Sequence, residues 1–370
     1  MMTLPRILVT GATGRTGTVV VSELLNAGYP VRALVRREDL RSTALRARGV
    51  EVAVADMCDA QGVAAAMRGV QRTYWLPPYD PAMLTGATVF ATAAKEAGLE
   101  AIVALSQWLA SPAHPALLTR QHWLADRLFA MIPGVALTMV TPGFFADSPY
   151  LETIEFAAHL GVVPWMFADS LSAPPSVNDI GRVAAAALMD PDRHAGRIYR
   201  PTGPALLSGE DMAAILARVF GHAVRLAPMS TGMFLKAARL DGHPPALLST
   251  MAHYIEEHRR GAFAMGAPND DVAHVTGRAA ESFEAVARRH AARLSNGRGV
   301  ADKLRLLARS LLLPFVPAPN TRRYLRGLQI TEPAAPQYTG ESAVWRCEHG
   351  FEQTQHSETA HPSPVLSTIA

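Results

Sequence analysis

Over the first 140 residues, short apolar runs alternate with longer stretches of helical period. Residues 7–10, 31–35, 50–55, 73–76, 102–105 and 136–140 read as strands. Between them, 14–27, 41–48, 60–68, 83–97 and 119–130 repeat apolar positions at three- and four-residue spacing and read as helices. Gly28 and Gly49 close two of these at positions that suit the left-handed conformation, and Pro77-Pro78 stops the fourth strand. Strands so short and so uniformly apolar are covered on both faces, and helices between them impose right-handed crossovers. The pattern predicts an α/β fold built on a doubly wound parallel sheet.

Past Pro142 the alternation weakens. Asn178-Asp179 reads as the cap of a helix over 180–189, and 197–199 as a short strand returning to the sheet. Ser208, with Asp211 three residues on, starts a helix over 208–221, and helical patterns follow at 251–259 and 278–294. The expected organisation is a nucleotide-binding domain over 1–150, rejoined by segments near 175–203. A smaller, mostly helical substrate-binding lobe follows over 151–295, then an extension over 296–352 and a disordered tail over 353–370. The extension is basic and then acidic. Ten Lys or Arg stand against Asp302 alone between Arg288 and Arg326, and five Glu against Arg346 from Gly327 onward.

Composition narrows the class. The 370 residues are 49% hydrophobic and 18% charged, with a mean hydropathy of +0.09, enough apolar surface for a sizeable core. A formal charge of +3 argues against a nucleic-acid partner. Two cysteines, Cys58 and Cys347, cannot build a disulfide framework or a cysteine zinc site, and no metal is expected. No leader is readable before residue 7, and the expected location is cytoplasmic, as monomer or homodimer.

The run GATGRTG carries the strongest chemical signal. Gly11 permits a sharp turn after the first strand, Gly14 lets phosphate oxygens approach the backbone, and Gly17 lets the helix pack closely. Free N–H groups at the positive helix end then face a pyrophosphate. Within a complete alternating sheet this is a Rossmann-like dinucleotide site. An NAD site places an acid at the end of the second strand; here stand Arg36 and Arg37, whose guanidinium groups suit a ribose 2′-phosphate. NADP(H) is therefore the expected cofactor, with Arg15 as a third cation. Asp56 is placed either to accept from an adenine amino group, with Met57 against the ring, or to cap the next helix.

These residues resemble the NmrA-like branch of the atypical short-chain dehydrogenase/reductase superfamily. The likeness rests on GATGRTG, Arg36-Arg37, Ser106, the 122–126 helix segment, residues 141–145, residues 179–181 and residues 202–204, and it spans about 6–295. It implies NADP(H) held across the strand ends by Gly11, Thr13, Gly14, Arg15, Thr16, Gly17, Arg36, Arg37, Asp56, Met57, Leu76, Pro77, Pro142, Gly143 and Phe144. The family includes NADPH-dependent quinone, azo-dye and benzylic ether reductases, and regulators that bind the cofactor without turnover.

Ordinary members of the superfamily pair a Tyr with a Lys four residues later. If His122 takes the Lys position, Leu118 takes the Tyr position and the phenol is missing. Carbonyl reduction by a Tyr donor is then not expected. Two readings stay open. One is hydride transfer to an electron-poor apolar acceptor such as a quinone or related aromatic. His122 then orients the ribose or supplies a proton, Ser106 holds substrate or nicotinamide, and Tyr79 is a spare phenol. The other is a sensor that binds NADP(H) without turnover. Phe144, Phe145, Tyr150, Phe156, Trp165, Met166 and Phe167, with Trp75 and Trp108, suit a flat apolar ligand or the core between domains.

His253 and His258 are five apart, about 140° around a helix, and do not form a zinc pair. In 300–313, Leu304, Leu307, Ala308 and Leu311 share one face, with Lys303, Arg305 and Arg309 elsewhere. Such a helix lies on an anionic membrane or nucleic acid, or packs on its own protein, the favoured reading being packing. Trp345 is expected to pin the acidic return segment to the globule.

Overall fold

The computed structural model describes residues 4–294 and 300–351, so the tail expected over 353–370 lies outside the described residues. Six apolar runs form β1 (Ile7–Thr10), β2 (Val31–Val35), β3 (Glu51–Val54), β4 (Arg72–Trp75), β5 (Ala101–Leu105) and β6 (Ala136–Val140). The crossovers are α1 (Arg15–Asn26), α2 (Leu40–Ala47), α3 (Ala60–Met67), α4 (Met83–Glu96) and α5 (Leu117–Ala130). After α6 (Ile154–Leu160) and β7 (Val162–Trp165), the chain returns through α7 (Val177–Met189), α8 (Pro191–His194) and β8 (Ile198–Tyr199). The sheet order is β3-β2-β1-β4-β5-β6-β8, all parallel, with Ile7 opposite both Val31 and Arg72. The order reverses between β1 and β4, and a crevice opens at their carboxyl ends.

Both faces are covered, as the unbroken burial of β1, β2 and β5 requires. On one face Ile7 and Val9 pack with Val20 and Leu24 of α1 and with Ile180 and Val183 of α7. Gly181 permits this approach, since a Cβ there would lie 2.6 Å from the Val19 side chain. On the other face Leu8 and Leu34 meet Met67, Phe90 and Phe129. Trp75 belongs to this second core, 4.7 Å from Phe90 and 5.4 Å from Phe129 between ring centroids. It does not face the cleft; the pleat turns it to the opposite side. The cap of α7 also differs from expectation. Ser176 accepts from the Asp179 N–H at 3.0 Å, while Asp179 sits inside the first turn and accepts from the Glu281 N–H.

The helical lobe is built from α6, α9 (Gly209–Phe220), α10 (Thr231–Leu240), α11 (Pro245–Arg259) and α13 (Phe283–Arg293), whereas α12 (Asp271–Thr276) packs on α7 and puts Val272 and Val275 into the sheet's core. The lobe also contains a parallel pair that the sequence pattern did not announce: β7 against β9 (Arg225–Pro228). Pro164 and Pro228 lie in these strands, where only edge positions leave a missing donor harmless. The extension contributes α14 (Val300–Leu312), α15 (Thr321–Gly327) and α16 (Ala343–Glu348). Trp345 on α16 is fully buried, and its indole N–H donates to the Trp108 carbonyl at 2.7 Å.

Candidate functional site

Two cavities meet at Leu76 and Pro77, over the β1–β4 crevice. The first, of about 590 Å³, is lined by Gly11, Thr13, Gly14, Arg36, Arg37, Asp56 and Met57 among others. Gly11 has φ +58°, and a Cβ there would strike Leu76 at 2.4 Å. At Gly17 a Cβ would lie 2.2 Å from the Gly11 carbonyl, so this glycine sets the close packing of α1 on the turn itself. Gly14 is the N-cap of α1, with no side-chain cap and no acid in the first turn. The amides at the start of α1 are thus left facing an anion site.

Charge at the end of β2 is sorted by its neighbours. Glu38 pairs with Arg46, and the guanidinium holds its carboxyl below the usual range. Asp39 caps α2 through the Arg41 and Ser42 N–H groups and pairs with the Arg41 side chain at 2.6 Å. Arg36 and Arg37 are exposed and have no hydrogen bond or ion pair among the described residues. The acids nearby are engaged and these cations are not, an arrangement that fits a 2′-phosphate. Asp56 accepts from the Cys58 N–H at 2.9 Å, and the cap of α3 is Asp59 instead. Asp56 and Met57 both line this cavity.

Two residues expected at this end lie elsewhere. Arg15 lines the other cavity and pairs with Glu152 at 3.1 Å, because the first position of α1 points toward the lobe. The Thr16 side chain is buried against the sheet and accepts from the Tyr74 hydroxyl at 3.2 Å. It offers a ligand only its backbone.

The second cavity, of about 300 Å³, is lined by Ser106, Gln107, Trp108, His122, Pro142, Gly143, Phe144 and Tyr79, with Phe234, Met251, Tyr254 and Phe263 from the lobe. His122 is buried, and desolvation lowers its imidazole to about 3. The expected proton donor from a group near 6.5 is therefore not what the fold provides. His122 is a neutral ring with a hydrogen-bonding edge on the cavity. Ser106 donates to Asp126 at 2.5 Å, and burial pushes that carboxyl up to about 7. Tyr79 is half exposed, and burial within the cavity wall raises its phenol above the ordinary range.

Gln107 and Tyr254 are the polar groups that motif reading missed. Tyr254 accepts from the Thr119 hydroxyl at 3.5 Å and donates to the Gln107 carbonyl oxygen. The Gln107 amide nitrogen is buried without a well-formed hydrogen bond, its neighbour being the Tyr79 hydroxyl. No local pattern marks either residue, since they stand 147 positions apart and meet only when α11 packs against α5, beside the loop after β5. Phe144 and Phe145 line this cavity, whereas Tyr150, Phe156, Trp165, Met166 and Phe167 surround a neighbouring one. His258 lies between Tyr150 and Ser170, and no metal-holding cluster occurs among the described residues.

The profile of the NmrA-like family matches residues 4–123. An NAD(P)H azoreductase from Xenophilus azovorans is 33% identical over 301 residues, which is 77% of this chain and 98% of that one. The chain belongs to the NmrA-like family. Quinone oxidoreductase 2 of Escherichia coli is 26% identical over 249 residues, 66% of this chain and 85% of its own length. Among solved structures, an NADPH-dependent quinone oxidoreductase from Escherichia coli in complex with NADPH superposes with a TM-score of 0.66 at 24% identity. It covers 78% of this chain and 100% of its own. Triphenylmethane reductase from Citrobacter sp., complexed with NADP(H), gives 0.67 at 21% identity, with 77% and 99% covered. At these identities the superpositions establish the shared fold. In this NmrA-like chain Leu118 is buried and non-polar one turn before His122, so the phenols of its cavity come from Tyr79 and Tyr254.

Proposed function

We propose that this protein is an NADPH-dependent reductase that delivers hydride to a flat, electron-poor, apolar acceptor such as a quinone or related aromatic. The observation that carries the reading is the joining, at Leu76 and Pro77, of a glycine turn with two free arginines to an aromatic-lined cavity. The azoreductase and quinone-reductase activities of its relatives support the same class of acceptor.

The open amides at the start of α1 bind the diphosphate, and Arg36 and Arg37 bind the 2′-phosphate. Asp56 accepts from the adenine amino group, with Met57 against the ring. NADPH held by these residues would supply a hydride. His122, kept neutral by burial, orients a ribose or amide group. Phe144, Trp108 and Phe263 exclude water and stack the acceptor. Tyr254 fixes the Gln107 amide, whose N–H groups meet the acceptor heteroatom where negative charge develops. For a quinone, the hydride and one proton from solvent give the hydroquinone and NADP⁺, which balances the step.

The test is loss of reduced-nicotinamide absorbance with quinones and azo dyes, for wild type and Gln107→Leu. Wild type is expected to turn over. Gln107→Leu should lower kcat roughly 100-fold, the order seen when one such donor is removed, with NADPH affinity unchanged. NADPH binding without turnover across the panel would favour the sensor, a reading to which the absent Tyr–Lys pair lends weight.

A further inference from the structure

Helix α14 has apolar residues on two sides, and the larger side faces water. Leu306 and Leu313 point inward and are buried, roofing the cavity lined by Phe156, Trp165 and Met233. Leu304, Leu307, Leu311 and Leu312 are 58%, 40%, 74% and 62% exposed, and Phe315, just beyond the helix, is 83% exposed. With Ala308 the four leucines fall at i, i+3, i+4, i+7 and i+8, a single stripe along the helix. The sequence pattern favoured packing this stripe on the protein. The fold does the reverse: it docks the narrower Leu306–Leu313 side and leaves the stripe bare.

The charges beside the stripe are mainly basic, with Asp302 the one acid of the helix. Lys303 and Arg305 flank Leu304; Lys303 has no ion pair among the described residues, and Arg305 reaches Glu155 at 3.5 Å and Asp302 at 3.6 Å. Arg309 is held by Asp241 on the inward side. The next helix along the chain, α15, packs on α11 and carries exposed Arg322, Arg323 and Arg326, without ion pairs among the described residues. A row of leucines with a phenylalanine, edged by Lys303 and Arg305 and followed along the chain by three more exposed arginines, matches a surface with apolar depth and a negative rim. An anionic lipid bilayer has both, with acyl chains for the stripe and headgroups for Lys and Arg. A phosphate backbone offers no counterpart to five bare apolar side chains. A second copy of this face would bring Lys303 and Arg305 against their own like charges.

We infer that α14, with the basic α15 after it, seats this protein on the surface of an anionic bilayer. No helix is long and apolar enough to cross a membrane among the described residues, so the attachment is peripheral. The test is flotation of the full chain, without nucleotide or acceptor, on phosphatidylcholine vesicles with and without phosphatidylglycerol. The wild type should float with the anionic vesicles and be released by high salt. A Leu304→Asp/Leu311→Asp double variant should lose binding at least about tenfold with an unchanged Tm, since both side chains are solvent-facing. Lys303→Gln/Arg305→Gln should weaken binding and flatten its salt dependence. Wild type that stays in solution, or floats equally on neutral vesicles, overturns the inference. So does light scattering that finds a dimer dissociated by the leucine double variant, which would put a second copy on the face.

Discussion

Arg36 shows how much of a site depends on which neighbours are already engaged. Glu38 and Asp39 follow Arg36 and Arg37, and sequence alone leaves open whether an acid or a base meets the ribose. In the fold, Arg46 and the α2 cap take both carboxylates, and Arg36 and Arg37 remain free. Arg36→Asp should therefore weaken NADPH binding roughly 10- to 100-fold, the value of a charge-assisted hydrogen bond, and leave NADH nearly unchanged. Calorimetry with both nucleotides checks this; equal losses would remove Arg36 from the 2′-phosphate. His122 was visible as a residue but not as a chemical state. Its neutrality comes from burial under α11 and the 142–144 loop, which no local pattern reports. Gln107 and Tyr254 were not visible at all, because each is an ordinary residue until the other is placed beside it.

At the scale of elements, the turn and α1 act as one unit. Gly17 is pressed on the Gly11 carbonyl, so a methyl group there must push the helix away from the turn whose amides it holds in place. Gly17→Ala should cost roughly 1–3 kcal/mol, as over-packing does, and weaken NADPH binding along with stability. Thermal unfolding with and without NADPH measures both; an unaltered Tm would show that the turn yields freely. The six principal strands and their helices were legible because each carries its own apolar period and its own stop signal. β7 and β9 were not, since each is four residues long, carries a proline and draws its pairing from a strand far along the chain. The α7 cap was misplaced for a related reason. Serine and aspartate three apart both suit a first turn, and only the hydrogen bonds tell the cap from the third position.

On the scale of the whole molecule, the extension is tied to the lobe through buried groups. Glu257, fully buried, accepts from His114 at 3.0 Å and from the Thr339 N–H at 2.7 Å, while Trp345 fills a site under Trp108 and Arg200. Assembly also holds several histidines neutral: burial lowers His122 and His258 to about 3, and His253 and His349 to about 4. The unfolded chain protonates these rings near their ordinary 6.5, so the stability present above that pH is lost as pH falls toward 4. Asp126, raised to about 7, works in the opposite sense, because its folded form takes up a proton first. Burial also lowers His194 and raises Asp179, so five lowered rings stand against two raised carboxyls and outweigh them. The Tm should fall by more than about 5 °C between pH 7 and pH 5, and a flat calorimetric profile would contradict the buried neutral rings. What the sequence by itself determined is the sheet, its crossovers and the glycine turn, because these depend on periodicity and on residues within about 20 positions of one another. Only the tertiary structure decided which charges stay free at β2, which phenols and amides line the second cavity, and which side of α14 meets water. Burial and partnership are properties of packing across distant segments, and they set protonation and exposure after the local pattern has already been satisfied.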